Sequence, residues 1–413
     1  MKKFEIPEQY RSGIIGELKR RRRISDPRKQ NFSPGVLRFG NVDIILPRHF
    51  GFCYGVENAI ETSYKAIKEN PGKRLFLLSE MIHNPVVNAD LQENGIRFIM
   101  DTYGQQILSW EEITPEDIVI IPAFGTTVEI ENLLIEKGVE IQKYNTTCPF
   151  VEKVWKRSSE IGKKGFSIII HGKHKHEETR ATFSHSYQNA PSIIIRDMKE
   201  AELLASFMQE EKTEAEFLSL FGDRISENFN FKKDLQRIGV VNQTTMLATE
   251  TQDIADFFKK IKIKEHDENH LDYFADTRDT LCYATNDNQE STLQVLKKGA
   301  DLALVIGGYN SSNTSQIVAI LQQKMATYFI QDEKEIQSLE VIQHFDYPTH
   351  QLLNTTHWLP EKRPIQIVLT SGASCPDTIL ESVLLRILEL IPPEKELSEA
   401  IHEFDQGSKS QEP

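Results

Sequence analysis

GFCYGVENAIE, residues 51–61, is the stretch from which we interpret the rest of the chain. It follows the apolar run VDIILPRHF (residues 42–50), and apolar residues then recur at helical spacing. Cys53 is therefore predicted to lie at a strand-to-helix turn, between Gly51 and Gly55. Such glycines allow a bulky group to approach the backbone, and a helix N-terminus stabilises a thiolate. A lone cysteine in a tight turn is more often a small buried thiol, so the other cysteines decide its interpretation.

The composition favours a globular protein of two or three domains, since 413 residues include 39% hydrophobic and 26% charged residues. A net charge of −13 argues against a general surface for nucleic acid or anionic membrane. No apolar run approaches the length of a transmembrane helix. The first 25 residues lack the apolar core of a signal peptide, so we expect a cytoplasmic protein with no membrane or nucleic-acid partner.

From residue 42 onward, short apolar strands alternate with amphipathic helices, which predicts α/β units with parallel sheets. Residues 1–40 form a polar leader, in which KRRRR (residues 19–23) is either a patch for a partner or, more often for such runs, a solvated tail. The charge-rich region 200–233 is interpreted as a helical insertion on the surface, and the tail 395–413 is expected to be frayed.

Four cysteines lie far apart in sequence, without any CxxC pair, so they predict neither a disulfide framework nor a zinc ribbon. Cys53, Cys148 and Cys282 all stand at predicted loop-to-helix junctions. They are either three unrelated buried thiols or three thiolates that converge on one [4Fe–4S] cluster, leaving one iron open as a Lewis acid. A zinc site is less favoured, because zinc normally takes a fourth protein ligand.

Polar motifs follow several predicted strands, where α/β folds place their ligands. In HGKHKHEET, His171, His174 and His176 lie close together; we favour one functional histidine and two solvated ones over a metal site. The run Ser311, Ser312, Asn313 and the run SGAS before Cys375 each open a predicted helix. They are suited to phosphate oxygens, although ordinary helix capping is the alternative for any one of them.

Eight motifs together resemble one known family. They are, in order across residues 43–392, GFCYGV, HNPVV, NTTCPFV, HGKHKHEETRAT, NQTTML, LCYAT, GGYNSSNTS and TSGASCPD. In these motifs the chain resembles the 4-hydroxy-3-methylbut-2-enyl diphosphate reductase (IspH/LytB) family, in its longer plastid-type branch.

The resemblance implies an α/β fold of three similar domains, with small, mostly parallel sheets arranged as a trefoil around a central iron–sulfur cluster. We expect domain 1 at residues 54–147 and domain 2 at 148–278, including the insertion. Domain 3 is expected at residues 279–394 together with 41–53, so that the strand before Cys53 packs with the last domain.

The resemblance also assigns roles to residues. It implies that Cys53, Cys148 and Cys282 bind the [4Fe–4S] cluster, that Glu178 delivers protons and that Thr244 lies near the substrate's alcohol. The residues expected to bind the substrate diphosphate are His83, His176, Ser311, Ser312, Asn313 and Ser374, and Thr245 is expected as a further substrate-binding residue.

The implied reaction is the reductive dehydroxylation of (E)-4-hydroxy-3-methylbut-2-enyl diphosphate to isopentenyl and dimethylallyl diphosphate, the last step of the methylerythritol phosphate route to isoprenoids. Reduced ferredoxin or flavodoxin is the expected electron donor. Two departures stand out: Phe124 replaces a histidine found in many members, and Cys375 replaces a small residue, which we interpret as a non-ligand. The alternatives are an iron–sulfur hydro-lyase, which needs no reductant, and a non-catalytic iron–sulfur sensor.

Overall fold

The architecture is taken from a computed structural model, which describes residues 4–209, 212–275, 280 and 282–404. The expectations for residues 1–3 and for the tail beyond residue 404 therefore concern residues outside the described ranges.

The α-helices of the described residues are, in chain order, α1 (Gly13–Ser25), α2 (Tyr54–Glu69), α3 (Pro85–Glu93), α4 (Val128–Glu136), α5 (Pro149–Gly162), α6 (Glu177–Tyr187), α7 (Met198–Gln209), α8 (Glu214–Phe221), α9 (Phe231–Asp234), α10 (Ala248–His266), α11 (Tyr283–Lys298), α12 (Ser312–Leu321), α13 (Asp377–Leu390) and α14 (Leu397–Glu403). The strands are β1 (Gly35–Arg38), β2 (Val42–Leu46), β3 (Leu75–Leu77), β4 (Ile96–Phe98), β5 (Ile118–Ile120), β6 (Ser167–His171), β7 (Ser192–Ile195), β8 (Ile238–Asn242), β9 (Phe274–Ala275), β10 (Leu302–Ile306), β11 (Ala326–Ile330), β12 (Val341–Asp346), β13 (Gln351–Thr356) and β14 (Ile365–Ser371).

The described chain divides into two compact units. Unit 1 comprises residues 4–57, 83–86 and 283–404, and unit 2 comprises residues 58–82 and 87–282. Unit 1 contains a sheet with the strand order β1-β2-β14-β10-β11-β12-β13. Its central strands β2, β14, β10 and β11 are mutually parallel, and β1, β12 and β13 are added in antiparallel fashion.

The central strands of unit 1 are almost continuously apolar, as expected for parallel strands that are covered on both faces. Strand β10, LALVI, is buried at every position. Helix α13 contacts β14 and buries residues at the spacing of one helical face, namely Leu380, Val383, Leu384 and Ile387. The pairing of β2 with β14 confirms that the strand before Cys53 joins the last part of the chain.

Unit 2 contains two further sheets among its described residues, β4-β3-β5 and β7-β6-β8-β9, and the pairs within both are parallel. The predicted α/β class with small, mostly parallel sheets is thus confirmed. Each of the three sheets falls in one expected domain range, except that strand β1 of the unit 1 sheet lies in the expected leader. On that ground we keep the three-domain division as a proposal.

The prediction for the leader, residues 1–40, is partly wrong. Helix α1 is not a solvated tail, because Ile15 and Leu18 are fully buried in the core of unit 1. The Lys19 ammonium lies 2.7 Å from the Asp377 carboxylate at the start of α13. The charged run hides this packing in the sequence, since only Ile15 and Leu18 of α1 are fully buried and both precede the run.

Two other surface expectations also need correction. Region 200–233 is helical as predicted, but it contributes Phe207, Phe217, Phe221 and Phe231 to the buried core of unit 2. At the C-terminal end, α14 and the residue after it are ordered against unit 1, where Phe404 is buried. Within the described ranges, no helix has both the length and the apolar character needed to cross a membrane.

Replacing Leu18 with alanine should lower the free energy of unfolding by about 2–5 kcal/mol, because a fully buried leucine is lost from a packed core. Chemical denaturation followed by circular dichroism measures this loss. Ile24→Ala on the same helix is the matched control, since Ile24 is 68% exposed and should cost little. Equal effects of the two substitutions would show that α1 does not belong to the core.

Candidate active site

Cys53 lies immediately before α2, as predicted, and is partly exposed. Its backbone N–H donates to the Ala373 carbonyl at 3.3 Å, which attaches the start of α2 to the loop after β14. Gly51 adopts φ +74°, and a Cβ there would come within 2.8 Å of the Lys19 ammonium. The room beside this glycine is therefore taken by the Lys19–Asp377 ion pair.

Cys148 and Cys282 repeat the same local arrangement. Cys148 is the N-cap of α5, with Pro149 at the first helical position, and its N–H donates to the Ala123 carbonyl at 3.0 Å. Cys282 is buried and directly precedes the first residue of α11. Since the N-terminus of a helix carries a partial positive charge, all three positions favour a thiolate. None of the three is in a disulfide.

Cys375 differs from these three cysteines. It is completely buried, and burial raises the pKa of its thiol far above the usual range, with the nearby Asp377 carboxylate adding to the shift. The side chain is therefore a protonated thiol at neutral pH. This is consistent with its interpretation as a non-ligand.

The three candidate ligands belong to two units: Cys53 lies in unit 1, and Cys148 and Cys282 lie in unit 2. Across the part of the chain that the structure describes, no three or more His, Cys, Asp or Glu side chains are grouped as a metal site. The convergence of the thiols on one cluster therefore stays a prediction.

Unit 1 brings five predicted diphosphate-binding residues together. The loop after β10 leads into α12, with Ser311 as its N-cap, and the loop after the adjacent parallel strand β14 carries Ser374. The Ser374 hydroxyl donates to the His83 carbonyl at 3.1 Å. The buried members of this group are His83, Ser311, Ser312, Asn313 and Ser374.

Asn313 links these loops to Cys53. Its Oδ1 accepts the N–H of Ala373 at 2.8 Å, and the carbonyl of the same Ala373 accepts the N–H of Cys53. Its Nδ2 is buried and has no hydrogen-bond partner among the described residues. An amide donor left over at a helix N-terminus is suited to an anionic oxygen, since burying it without a partner is costly.

Unit 2 positions the other predicted site residues. His176 is the N-cap of α6, and its Nδ1 accepts the backbone N–H of Glu178 at 3.2 Å. Because this nitrogen accepts a hydrogen bond, the neutral ring carries its proton on Nε2, which is then a donor. The Phe124 ring lies edge-on to the His176 ring, with 5.5 Å between centroids. Phe124, the residue that by the resemblance replaces a histidine, thus packs against the His176 imidazole.

The Glu178 carboxylate is buried and accepts a hydrogen bond from the backbone N–H of Thr244, just beyond the end of β8. Thr245 follows, half-buried, and its hydroxyl accepts from the Gln243 side chain at 2.6 Å. The structure therefore brings Glu178 and Thr244 together within unit 2, as the proton-delivery assignment requires.

The other two histidines of HGKHKH only partly match the prediction. His174 is half-exposed, with its Nε2 3.6 Å from Asp223. His171 is fully buried rather than solvated, and its Nδ1 lies 2.8 Å from the Thr251 hydroxyl. Burial lowers the pKa of His171 to about 4, so the ring is neutral at pH 7. The prediction of a solvated His171 is wrong because His171 belongs to the buried strand β6 and not to the loop that follows it.

Sequence reasoning also missed Gln243, whose side chain is fully buried between predicted site residues. The only signal was its position after a strand, beside Thr244 in NQTTML.

Residues 44–388 match the family model described as LytB protein. The chain is 37% identical over 387 residues to the 4-hydroxy-3-methylbut-2-enyl diphosphate reductase of Trichormus variabilis, covering 94% of this chain and 91% of that one. It is 36% identical over 390 residues to the reductase of the same name from Gloeobacter violaceus, covering 94% and 89%.

Two solved structures share the fold. One is the E-1-hydroxy-2-methyl-but-2-enyl-4-diphosphate reductase from Plasmodium falciparum, with a TM-score of 0.62 at 19% identity, covering 89% of this chain and 99% of that chain. The other is described as (E)-4-hydroxy-3-methyl-but-2-enyl diphosphate reductase, the terminal enzyme of the non-mevalonate pathway, with a TM-score of 0.50 at 24% identity, covering 84% and 99%. At these identities the likeness concerns the fold alone.

The raised pKa of Cys375 predicts slow alkylation. In the metal-free protein at pH 8, iodoacetamide should modify the partly exposed Cys53 and Cys148 well before Cys375, because the thiolate is the nucleophile and Cys375 is both buried and protonated. Peptide mass spectrometry of a labelling time course measures the order. Labelling of Cys375 as fast as Cys53 would contradict its assignment as an inert thiol.

Proposed function

The chain belongs to the LytB protein family, and from this membership we infer that it reduces (E)-4-hydroxy-3-methylbut-2-enyl diphosphate to isopentenyl and dimethylallyl diphosphate. It is an oxidoreductase of isoprenoid biosynthesis, acting at the last step of the methylerythritol phosphate pathway. One observation in the structure carries the assignment of the site. The hydrogen-bond chain Cys53–Ala373–Asn313 joins a candidate iron ligand to a buried amide that has a donor to spare.

Membership in this family implies an iron–sulfur cluster. We propose a [4Fe–4S] cluster held by Cys53, Cys148 and Cys282, with one iron left open. The donor set fits, since each of the three thiols directly precedes a helix and Cys375 does not share their chemistry. When bound, the cluster would supply the two electrons and a Lewis acid for the substrate hydroxyl.

The diphosphate is proposed to bind at the loops after β10 and β14. There the backbone N–H groups at the start of α12 and the Asn313 amide offer neutral donors in a buried setting. The donors proposed in unit 1 are His83, Ser311, Ser312, Asn313 and Ser374. His176, through its Nε2–H, is the diphosphate donor proposed from unit 2, and Thr245 is proposed as a further substrate-binding residue.

Proton delivery is proposed for Glu178 together with Thr244. Dehydroxylation needs a proton for the departing oxygen, and a carboxyl group within hydrogen-bond reach is the usual source. The Thr244 backbone N–H holds the Glu178 carboxylate, so the residue is fixed before a substrate arrives. Thr244 is itself buried, and we propose that its hydroxyl group takes part in proton delivery with Glu178.

A reductase needs an electron donor, and we propose reduced ferredoxin or flavodoxin in a cytoplasmic setting. The positive charge of KRRRR is partly neutralised within the chain, since Lys19 pairs with Asp377 and both Arg20 and Arg21 pair with Glu17. No disulfide involves any of the four cysteines, which fits a reducing compartment.

Glu178→Gln should lower kcat by about 10²–10⁴-fold, because the side chain keeps its shape but cannot donate the acid proton. Turnover is measured anaerobically with reduced methyl viologen, and iron and sulfide per chain should stay at the wild-type level. A non-catalytic sensor would tolerate the change.

The matched control is Glu177→Gln, since Glu177 is a buried neighbour on the same turn that is bonded to the Ser79 hydroxyl instead. Glu177→Gln should retain most of the wild-type kcat. Wild-type kcat in Glu178→Gln, or conversion of the diphosphate in the absence of any reductant, would contradict the proposed reaction.

A further inference from the structure

Gln243 holds three segments of unit 2 together through one side-chain amide. Its Oε1 accepts the Lys173 backbone N–H at 3.1 Å and the Thr179 hydroxyl at 2.9 Å. Its Nε2 donates to the Thr245 hydroxyl at 2.6 Å. A backbone N–H can only donate, so the Lys173 contact fixes which end of the amide is the oxygen.

Each partner of this amide lies next to a residue of the proposed site or in the loop that leads to one. Thr179 follows Glu178 on the first turn of α6, and Thr245 follows Thr244. Lys173 stands in the loop that leads from β6 to His176. The Gln243 amide and its three partners, which we call the clamp, therefore connect the start of α6 with Glu178, the loop with Thr244 and the loop that leads to His176.

The packing around the clamp leaves little freedom. Gln243 is 0% exposed, and its own N–H donates to the His171 carbonyl at 2.9 Å. A Cβ at Gly172 would lie 2.7 Å from the Thr179 hydroxyl and 3.1 Å from the Gln243 Cβ. The glycine lets the loop after β6 close on the amide, and the amide cannot shift without breaking buried hydrogen bonds.

We propose that Gln243 is a positioning residue for proton delivery, setting Glu178 against Thr244; this rests on the proposed function. The position requires an acceptor for two donors and a donor for Thr245 at the reach of a glutamine. Leucine has a similar size but leaves the Lys173 N–H without its acceptor, and asparagine is shorter by one methylene. Gln243 acts on the reaction only through the residues it holds.

Gln243→Leu should reduce kcat on the order of 10²-fold, the usual cost of misplacing a catalytic group by about 1 Å. The KM for the diphosphate should change by less than about threefold, because most of the proposed diphosphate-binding residues lie in unit 1, whereas Gln243 lies in unit 2. Iron and sulfide content should equal that of the wild type. The double variant Gln243→Leu/Glu178→Gln should be no slower than Glu178→Gln alone, because both changes act on the same proton.

Thr179→Val decides the case if Gln243→Leu does not fold. Valine keeps the shape of threonine and removes one of the two donors to the Gln243 oxygen, so a kcat loss in the same direction is expected. Thr182→Val is its control on the same helix, since the Thr182 hydroxyl is equally buried but accepts from the Trp155 indole at 3.1 Å. It should keep the wild-type kcat.

A merely structural role would give a lower melting temperature with unchanged kcat in both Gln243→Leu and Thr179→Val, and that result would overturn the proposal. Loss of the cluster, a rise in KM alone, or full additivity with Glu178→Gln would also overturn it. Failure of the proposed function gives a different result, since the wild type itself would not reduce the diphosphate.

Discussion

Parallel pairing of β2 with β14 is the constraint on which the arrangement of unit 1 depends. It aligns residues 42–45 with residues 365–368, from opposite ends of the chain. Because both strands end at the same edge of the sheet, Cys53 meets the loop that carries Ser374. Asn313 then bonds to the same loop from the neighbouring strand β10. The Cys53 thiol and the loops proposed to bind the diphosphate are thus placed side by side by backbone pairing.

In unit 2, the feature that matters most for the proposed reaction is the fixed position of the Glu178 carboxylate. Glu178 is buried and accepts a hydrogen bond from the Thr244 N–H. It is the second residue of α6, the helix whose N-cap is His176. The strands β6 and β8 are adjacent and parallel, so the loops that follow them reach the same edge. The residues proposed for proton delivery therefore come from neighbouring strand ends, as those proposed for the diphosphate do in unit 1.

The sequence was sufficient for the parts of the fold that repeat a simple pattern. Cys53, Cys148 and Cys282 are each followed by a helix because turn residues there give way to apolar residues at helical spacing. Helix α1 was misjudged, since two buried residues are masked by five consecutive cations. The β12–β13 hairpin was missed because β13 is largely exposed and lacks alternation. The role of Gln243 depends on contacts with Lys173 and Thr179, about 70 residues away, which no local pattern records.

Cys53, Cys148 and Cys282 are proposed to hold one four-iron cluster. The measurement that tests this is anaerobic iron and acid-labile sulfide content together with an absorption spectrum. The wild type and Cys375→Ser should each contain about four irons and four sulfides per chain, whereas Cys53→Ser, Cys148→Ser and Cys282→Ser should each lose the intact cluster. A complete four-iron cluster in Cys53→Ser would contradict the account, as would loss of the cluster in Cys375→Ser.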